Sequence, residues 1–475
     1  MLLKNSGYYL LARGLPGIVN FLAIAIYTRM LLPDEYGRYA LVIAGVGLFN
    51  VVFFEWLKLS LNRFMPAYLE NPKPLLATIL AVFTAITLIT GVFGLFLAGV
   101  FPDPAWQRLI MLAVPLLWAQ GWFELNLTLS AVKLLPLRYG LMSGIKAASA
   151  LALGVVLVLW GFGEYGPLIG LLAGITITAA ILGREEWSGV SLDVSRPLLG
   201  EILRYGLPLT ATFALTFVIS SSDRFIIAWL LGEGPAGLYS AAYDLGQQSL
   251  TLLMVVVNLA GYPLAIRALE QKGVESAQEQ LRQNSTLLIF IAFPAAVGMA
   301  VLAPNVSRVM LGAGFREDAA LLLPWVALAV LLSGIRAYHF DLAFQLGRHT
   351  MGQVWVMGTG AFLNILLNIL LIPIYGLLGA AYATFGAYLL ALIVSATLGR
   401  RTFNMPVPYL DGFKIAAASL LMGLPLWLSL EYQGIYALGV QVLGGCIVYL
   451  FFLCLLDAGG YRTNLLRQMR SWIGS

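Results

Sequence analysis

The chain is a succession of apolar stretches joined by short polar connections. Each is close to the ~20 residues an α-helix needs to cross a bilayer. Fourteen such stretches can be read, at 8–31, 37–60, 75–101, 106–132, 138–160, 166–182, 203–231, 236–265, 284–302, 319–344, 351–373, 376–399, 413–431 and 434–456. Only 11% of residues are charged and 60% are hydrophobic, whereas soluble domains carry about 25% charged residues. The expected fold class is therefore all-α: a polytopic membrane protein. The N-terminal stretch reads as an uncleaved first span, with Lys4 and Arg13 and no small-residue cleavage site.

The charges give the parse a direction. Of 28 Lys and Arg residues, nineteen fall on the side of the two termini, four on the opposite side, and five inside spans. Basic residues accumulate in cytoplasmic loops, so both termini are expected in the cytoplasm. Basic residues spread over short loops also argue against a nucleic-acid surface. Cys446 and Cys454 share the last apolar segment, eight residues apart, too far for a disulfide. With only His339 and His349 besides, no metal or cofactor is expected.

An internal repeat organises the spans. Arg138, Tyr165 and Gly166 match Arg348, Tyr375 and Gly376 at an offset of 210, and Leu31, Gly37 and Tyr39 match Leu231, Gly237 and Tyr239 at an offset of 200. Gly14-Leu15-Pro16 and Gly206-Leu207-Pro208 open the first and seventh spans, and Pro115 parallels Pro324. Span n always pairs with span n+6, so the copies run the same way through the membrane. Parallel halves of this kind occur in secondary transporters that work by alternating access. The expected organisation is an N-terminal six-helix lobe (1–183), a cytoplasmic linker (184–202), a C-terminal six-helix lobe (203–400), and two additional helices with a tail (401–475).

Three stretches carry a family likeness: LLARGLPGIVNFLAIAIYTRMLLPDEYGRYAL at 10–41, SSSDRFIIAWLLGEGPAGLYSAAYDLGQ at 220–247, and NILLNILLIPIYGLLGAAYAT at 364–384. In these the chain resembles the polysaccharide-flippase branch of the multidrug/oligosaccharidyl-lipid/polysaccharide (MOP) exporter superfamily, the lipid-linked oligosaccharide and O-antigen flippases. The resemblance implies export of undecaprenyl-pyrophosphate-linked oligosaccharide across the inner membrane without ATP hydrolysis. It also implies work alongside a polysaccharide polymerase and chain-length machinery.

Ionisable groups within spans are costly and mark function by default. Arg336, Arg224, Arg29, Arg13 and Lys146 are candidate head-group ligands, because a pyrophosphate leaving water needs charge-assisted bonds. Arg336 leads, as a deep cation with no evident neutralising partner. Depth matching pairs Arg224 with Asp244 and Glu124 with Lys146, while Glu55 and Lys58 share a face of the second span. Asp223, Asp244 and Glu124 are candidates for coupling to an ion. Asn20, Gln120, Asn126, Gln247, Gln248, Asn364 and Asn368 could serve a sugar, the last two equally well a neighbouring helix. A drug exporter of the same superfamily is the alternative. An enzyme is disfavoured, because chemistry on a glycan needs paired acids, a base or a metal and the outer loops are short.

Overall fold

The computed structural model describes residues 2–183, 185–349 and 351–458, with side chains from residue 16 onward and that of residue 185 excepted. Sixteen α-helices run through these residues: α1 (Leu2–Met30), α2 (Pro33–Phe64), α3 (Lys73–Val100), α4 (Pro104–Val132), α5 (Pro136–Leu159), α6 (Tyr165–Leu182), α7 (Arg196–Leu231), α8 (Glu233–Lys272), α9 (Val274–Val301), α10 (Ala303–Met310), α11 (Arg316–Ile335), α12 (Leu342–Leu346), α13 (Met351–Tyr375), α14 (Leu377–Gly399), α15 (Tyr409–Leu428) and α16 (Ile435–Leu455). A π-helical turn, Arg336–Phe340, joins α11 to α12. Thirteen spans among the described residues are long and apolar enough to cross a membrane, and the 29-residue α1 occupies the position of the expected first span.

Prolines start several of these helices, as at Pro33, Pro104 and Pro136, where the missing N–H costs nothing. Asp103 also caps α4, accepting a 2.8 Å bond from the Ala105 N–H. The stretch 266–283, read from sequence as a polar loop, is almost wholly helical. α8 runs on to Lys272 and α9 begins at Val274, with Gly273 at φ +86° between them. That left-handed conformation is open to glycine at little cost.

Contacts divide the chain into two compact units, Met1–Gly237 and Leu238–Ser475. In the first, α5 and α6 form a close hairpin. A Cβ on Gly170 would lie 2.5 Å from the Gly154 nitrogen, the small-residue packing that lets backbones meet in lipid. α1 lies on α5, and α2 packs along both α4 and α7. Within the second unit α13 and α14 form the corresponding hairpin, and α11 packs on α9 and α14 as α4 packs on α3 and α6. The two units thus repeat three helix contacts at matching places. α15 and α16 pack together and against α9.

The segment after α6 is tied to the first unit. Trp187 packs on Trp122 with ring centroids 4.6 Å apart and donates a 3.0 Å bond to Asn126 Oδ1. That role removes Asn126 from the candidate sugar ligands. Glu186 accepts from Lys133 and, at 2.6 Å, from Arg138. Burial pushes the Glu186 carboxyl up, but Lys133 and Arg138 outweigh it and hold it below the ordinary carboxylate value. A depressed carboxylate stabilises above its unfolded pKa of about 4.3 and loses that contribution as pH falls through the lower folded value. Glu186→Gln is therefore expected to lower the thermal midpoint at neutral pH, the gap to the parent closing only below about pH 4.3. A gap that stays constant with pH would disprove this.

Candidate functional site

A chain of charged and amide side chains links three helices of the first unit. Glu55 and Lys58 lie one turn apart on α2, with Lys58 Nζ 2.6 Å from Glu55 Oε2. The same ammonium reaches Glu124 Oε2 on α4 at 3.2 Å. Gln120, a turn before Glu124, donates to its other oxygen at 2.8 Å and accepts from Lys146 of α5 at 2.9 Å. The Lys146 ammonium also sits 4.5 Å from the Phe123 ring centroid, a cation–π contact. Glu55 is 5% exposed, whereas the Lys58 side chain keeps 30% of its surface accessible. The network is neutral as a whole and open at Lys58.

Its wiring differs from depth matching. Glu124 and Lys146 belong to one network, but Gln120 stands between them and the direct partner of Glu124 is Lys58. Lys58 lies within α2, as its shared face with Glu55 requires.

Arg336 is not the bare cation that its sequence neighbours suggested. It is 5% exposed, with Nε 3.7 Å from Asp341 Oδ2 and Nη1 2.7 Å from Met357 Sδ of α13. Asp341 accepts a 2.6 Å bond from Ser395 of α14. The cause is the π-turn. The Asp341 N–H bonds the Arg336 carbonyl at 2.8 Å, an i→i+5 link that brings residue 341 beneath residue 336. Arg336 therefore packs among α11, α13 and α14, paired with a carboxylate.

Arg29, exposed at the end of α1, folds back on the Ala25 carbonyl, a favourable place for a cation at a helix C-terminus. Arg13 lies outside the described side chains. Asp223 and Arg224 are both buried on α7 in the first unit. Asp244, half-buried, belongs to α8 in the second. Asn368 donates to the Asn364 carbonyl at 2.9 Å, and Asn364 lies 3.5 Å from Thr384 Oγ1 on α14.

A second cluster was not foreseen. Arg38 of α2 donates at 2.9 Å to both Glu164 and Glu233, and Trp106 Nε1 donates to Glu233 at 2.5 Å. Here the starts of α2 and α8 touch. A Cβ on Gly37 would lie 1.9 Å from the Glu233 carbonyl oxygen, and one on Gly237 would lie 2.2 Å from that of Pro33. The signal was present in the repeat, which pairs Gly37 with Gly237, and its physical meaning is this backbone contact.

Residues 26–320 match the family described as "Polysaccharide biosynthesis protein". Over 323 residues the chain is 22% identical to the "Probable lipid II flippase MurJ" of Rhizobium tropici, covering 63% of this chain and 60% of that one. Over 250 residues it is 26% identical to the "Lipopolysaccharide biosynthesis protein WzxC" of Escherichia coli (strain K12), covering 51% and 47%. The chain thus aligns with about half to three-fifths of the length of these relatives. Among solved structures, "Lipid II flippase MurJ, inward closed conformation" superposes with a TM-score of 0.79 at 16% identity, over 94% of this chain and 98% of that one. These relatives bear the names of flippases and of a lipopolysaccharide biosynthesis protein, not of enzymes. The chain belongs to the polysaccharide biosynthesis protein family.

Proposed function

We propose that the protein is a flippase that carries undecaprenyl-pyrophosphate-linked oligosaccharide from the cytoplasmic to the periplasmic leaflet of the inner membrane, for cell-surface polysaccharide assembly. The observation that carries this reading is the Glu55–Lys58–Glu124–Gln120–Lys146 network inside the first unit. A pyrophosphate entering there competes with the carboxylates for the ammonium groups. It gains charge-assisted bonds in place of hydration, yet the carboxylates can reclaim the lysines, so release stays easy. Arg13, Arg29 and Arg224 are further basic groups along the route, and Asp223, Asp244 and Glu124 the candidates for ion coupling. Transport proceeds by alternating access of the lobes 1–183 and 203–400, with 401–475 as two additional helices and a tail and both termini in the cytoplasm.

The test is reconstitution into vesicles that hold lipid-linked oligosaccharide, with head-group exposure read by a membrane-impermeant glycosidase. Time-dependent exposure that requires the protein is the expected result. Export of cationic drugs with no exposure of the glycan would replace this reading with that of a drug exporter.

A further inference from the structure

An apolar groove of about 520 Å³ opens in the first unit between α2, α3, α4 and α7. Its floor includes the buried Val42, Val46 and Leu117, and its rim includes the exposed aromatics Phe93 and Trp229. It is several times larger than the apolar cavity of about 150 Å³ that stays dry and takes up benzene. Water has almost no polar partner on such walls. Gly45 lines the groove from α2, and a Cβ there would meet nothing within 4 Å. Glycine within a helix is unfavourable relative to alanine, and no neighbouring protein atom requires its absence of a side chain. The space it leaves is continuous with the groove.

The dimensions and the mouth identify the occupant. From Leu41 to Phe53, both on the wall, α2 rises about 18 Å, close to half of a ~30 Å hydrocarbon core. That is the depth of one leaflet, suited to an acyl chain and short for a long polyprenyl tail. At the mouth, Glu233 lines the groove beside Trp106. Glu164 and Glu233 share Arg38, Asp34 borders Gly234, and Glu35 borders Gly163. Of the other nearby cations, Arg29 folds back on the Ala25 carbonyl and Arg108 lies over the Tyr165 ring, on the α4 face opposite Trp106. Carboxylates outnumber cations, which repels an anionic head group and favours an ammonium. We propose that this groove seats one acyl chain of a zwitterionic, amine-headed phospholipid, in the leaflet on the side of the α1–α2, α3–α4 and α7–α8 turns. The inference is independent of the transported substrate.

The test uses the full-length protein in nanodiscs with phosphatidylethanolamine carrying a photoreactive diazirine near one acyl terminus. Adducts are expected on groove-lining peptides of α2 and α3. Gly45→Phe should cut them roughly ten-fold, the effect of displacing about two buried methylenes, with an unchanged unfolding temperature. Gly99→Phe adds the same ring on α3, where space is also open but outside the groove, and should leave the adducts intact. Gly45→Leu is the smaller second variant and should act in the same direction. Equal labelling of the Gly45 variants and the parent would overturn the proposal. So would equal labelling by a phosphatidylglycerol probe, or preferential capture of a diazirine-bearing polyprenyl pyrophosphate.

Discussion

Lys58→Ala is expected to abolish head-group translocation and to destabilise the protein by about 3 kcal/mol, the lower end of the cost of removing one partner from a buried ion pair. The lower end applies because part of the Lys58 side chain remains accessible. Lys58 is the junction of the network: without it Glu55 loses the ammonium it pairs with, and Glu124 keeps Gln120 and, through it, Lys146. Loss of stability alone would not demonstrate a role in transport, so flipping must be measured per folded molecule. Pairing Lys58→Met with Glu55→Gln removes the uncompensated carboxylate and should recover most of the stability. It should not recover transport, because the ammonium that would meet the pyrophosphate is still missing. Full transport by Lys58→Ala, or its return in the double variant, would show that the network only holds helices together.

Arg336→Ala is expected to cost about 3–5 kcal/mol, since it strands Asp341 inside the second unit. Adding Asp341→Asn should recover much of that loss, because a neutral amide can still meet the Ser395 hydroxyl. A cation with no neutralising partner could be removed without stranding a carboxylate. The Asp341 pairing changes that expectation. Arg336→Lys should recover only part of the loss, because an ammonium lacks the planar donor fork. The measurement is thermal unfolding of the purified single and double variants. A single variant as stable as the parent, or a double variant no better than the single, would show that the 3.7 Å pair carries no structural weight.

What the sequence determined by itself was the set of properties that need only counting along the chain. Apolar length marks a span wherever it occurs, so helix positions and fold class were legible. Residues at fixed offsets exposed the repeat, and three degenerate apolar stretches were enough for the family. The charges within spans could be found as well, because a polar residue stands out against hydrocarbon.

Which charge meets which was decided only by tertiary structure. In a soluble helix the apolar stripe reveals which face turns inward, but a membrane helix is apolar nearly all round, so its rotation leaves no trace in the pattern. Depth could therefore be matched and direction could not. Glu124 and Lys146 were placed in one neighbourhood, while Gln120 as their bridge and Lys58 as the direct partner depended on how α2, α4 and α5 turn toward one another. Arg336 was misjudged for a local reason of the same kind. Regular helix spacing sets residue 341 well round the axis from residue 336, and a single π-turn cancels that offset. The Arg38 cluster stayed hidden because its partners lie 126 and 195 residues away. Only the paired glycines at 37 and 237 hinted that two helix starts would meet.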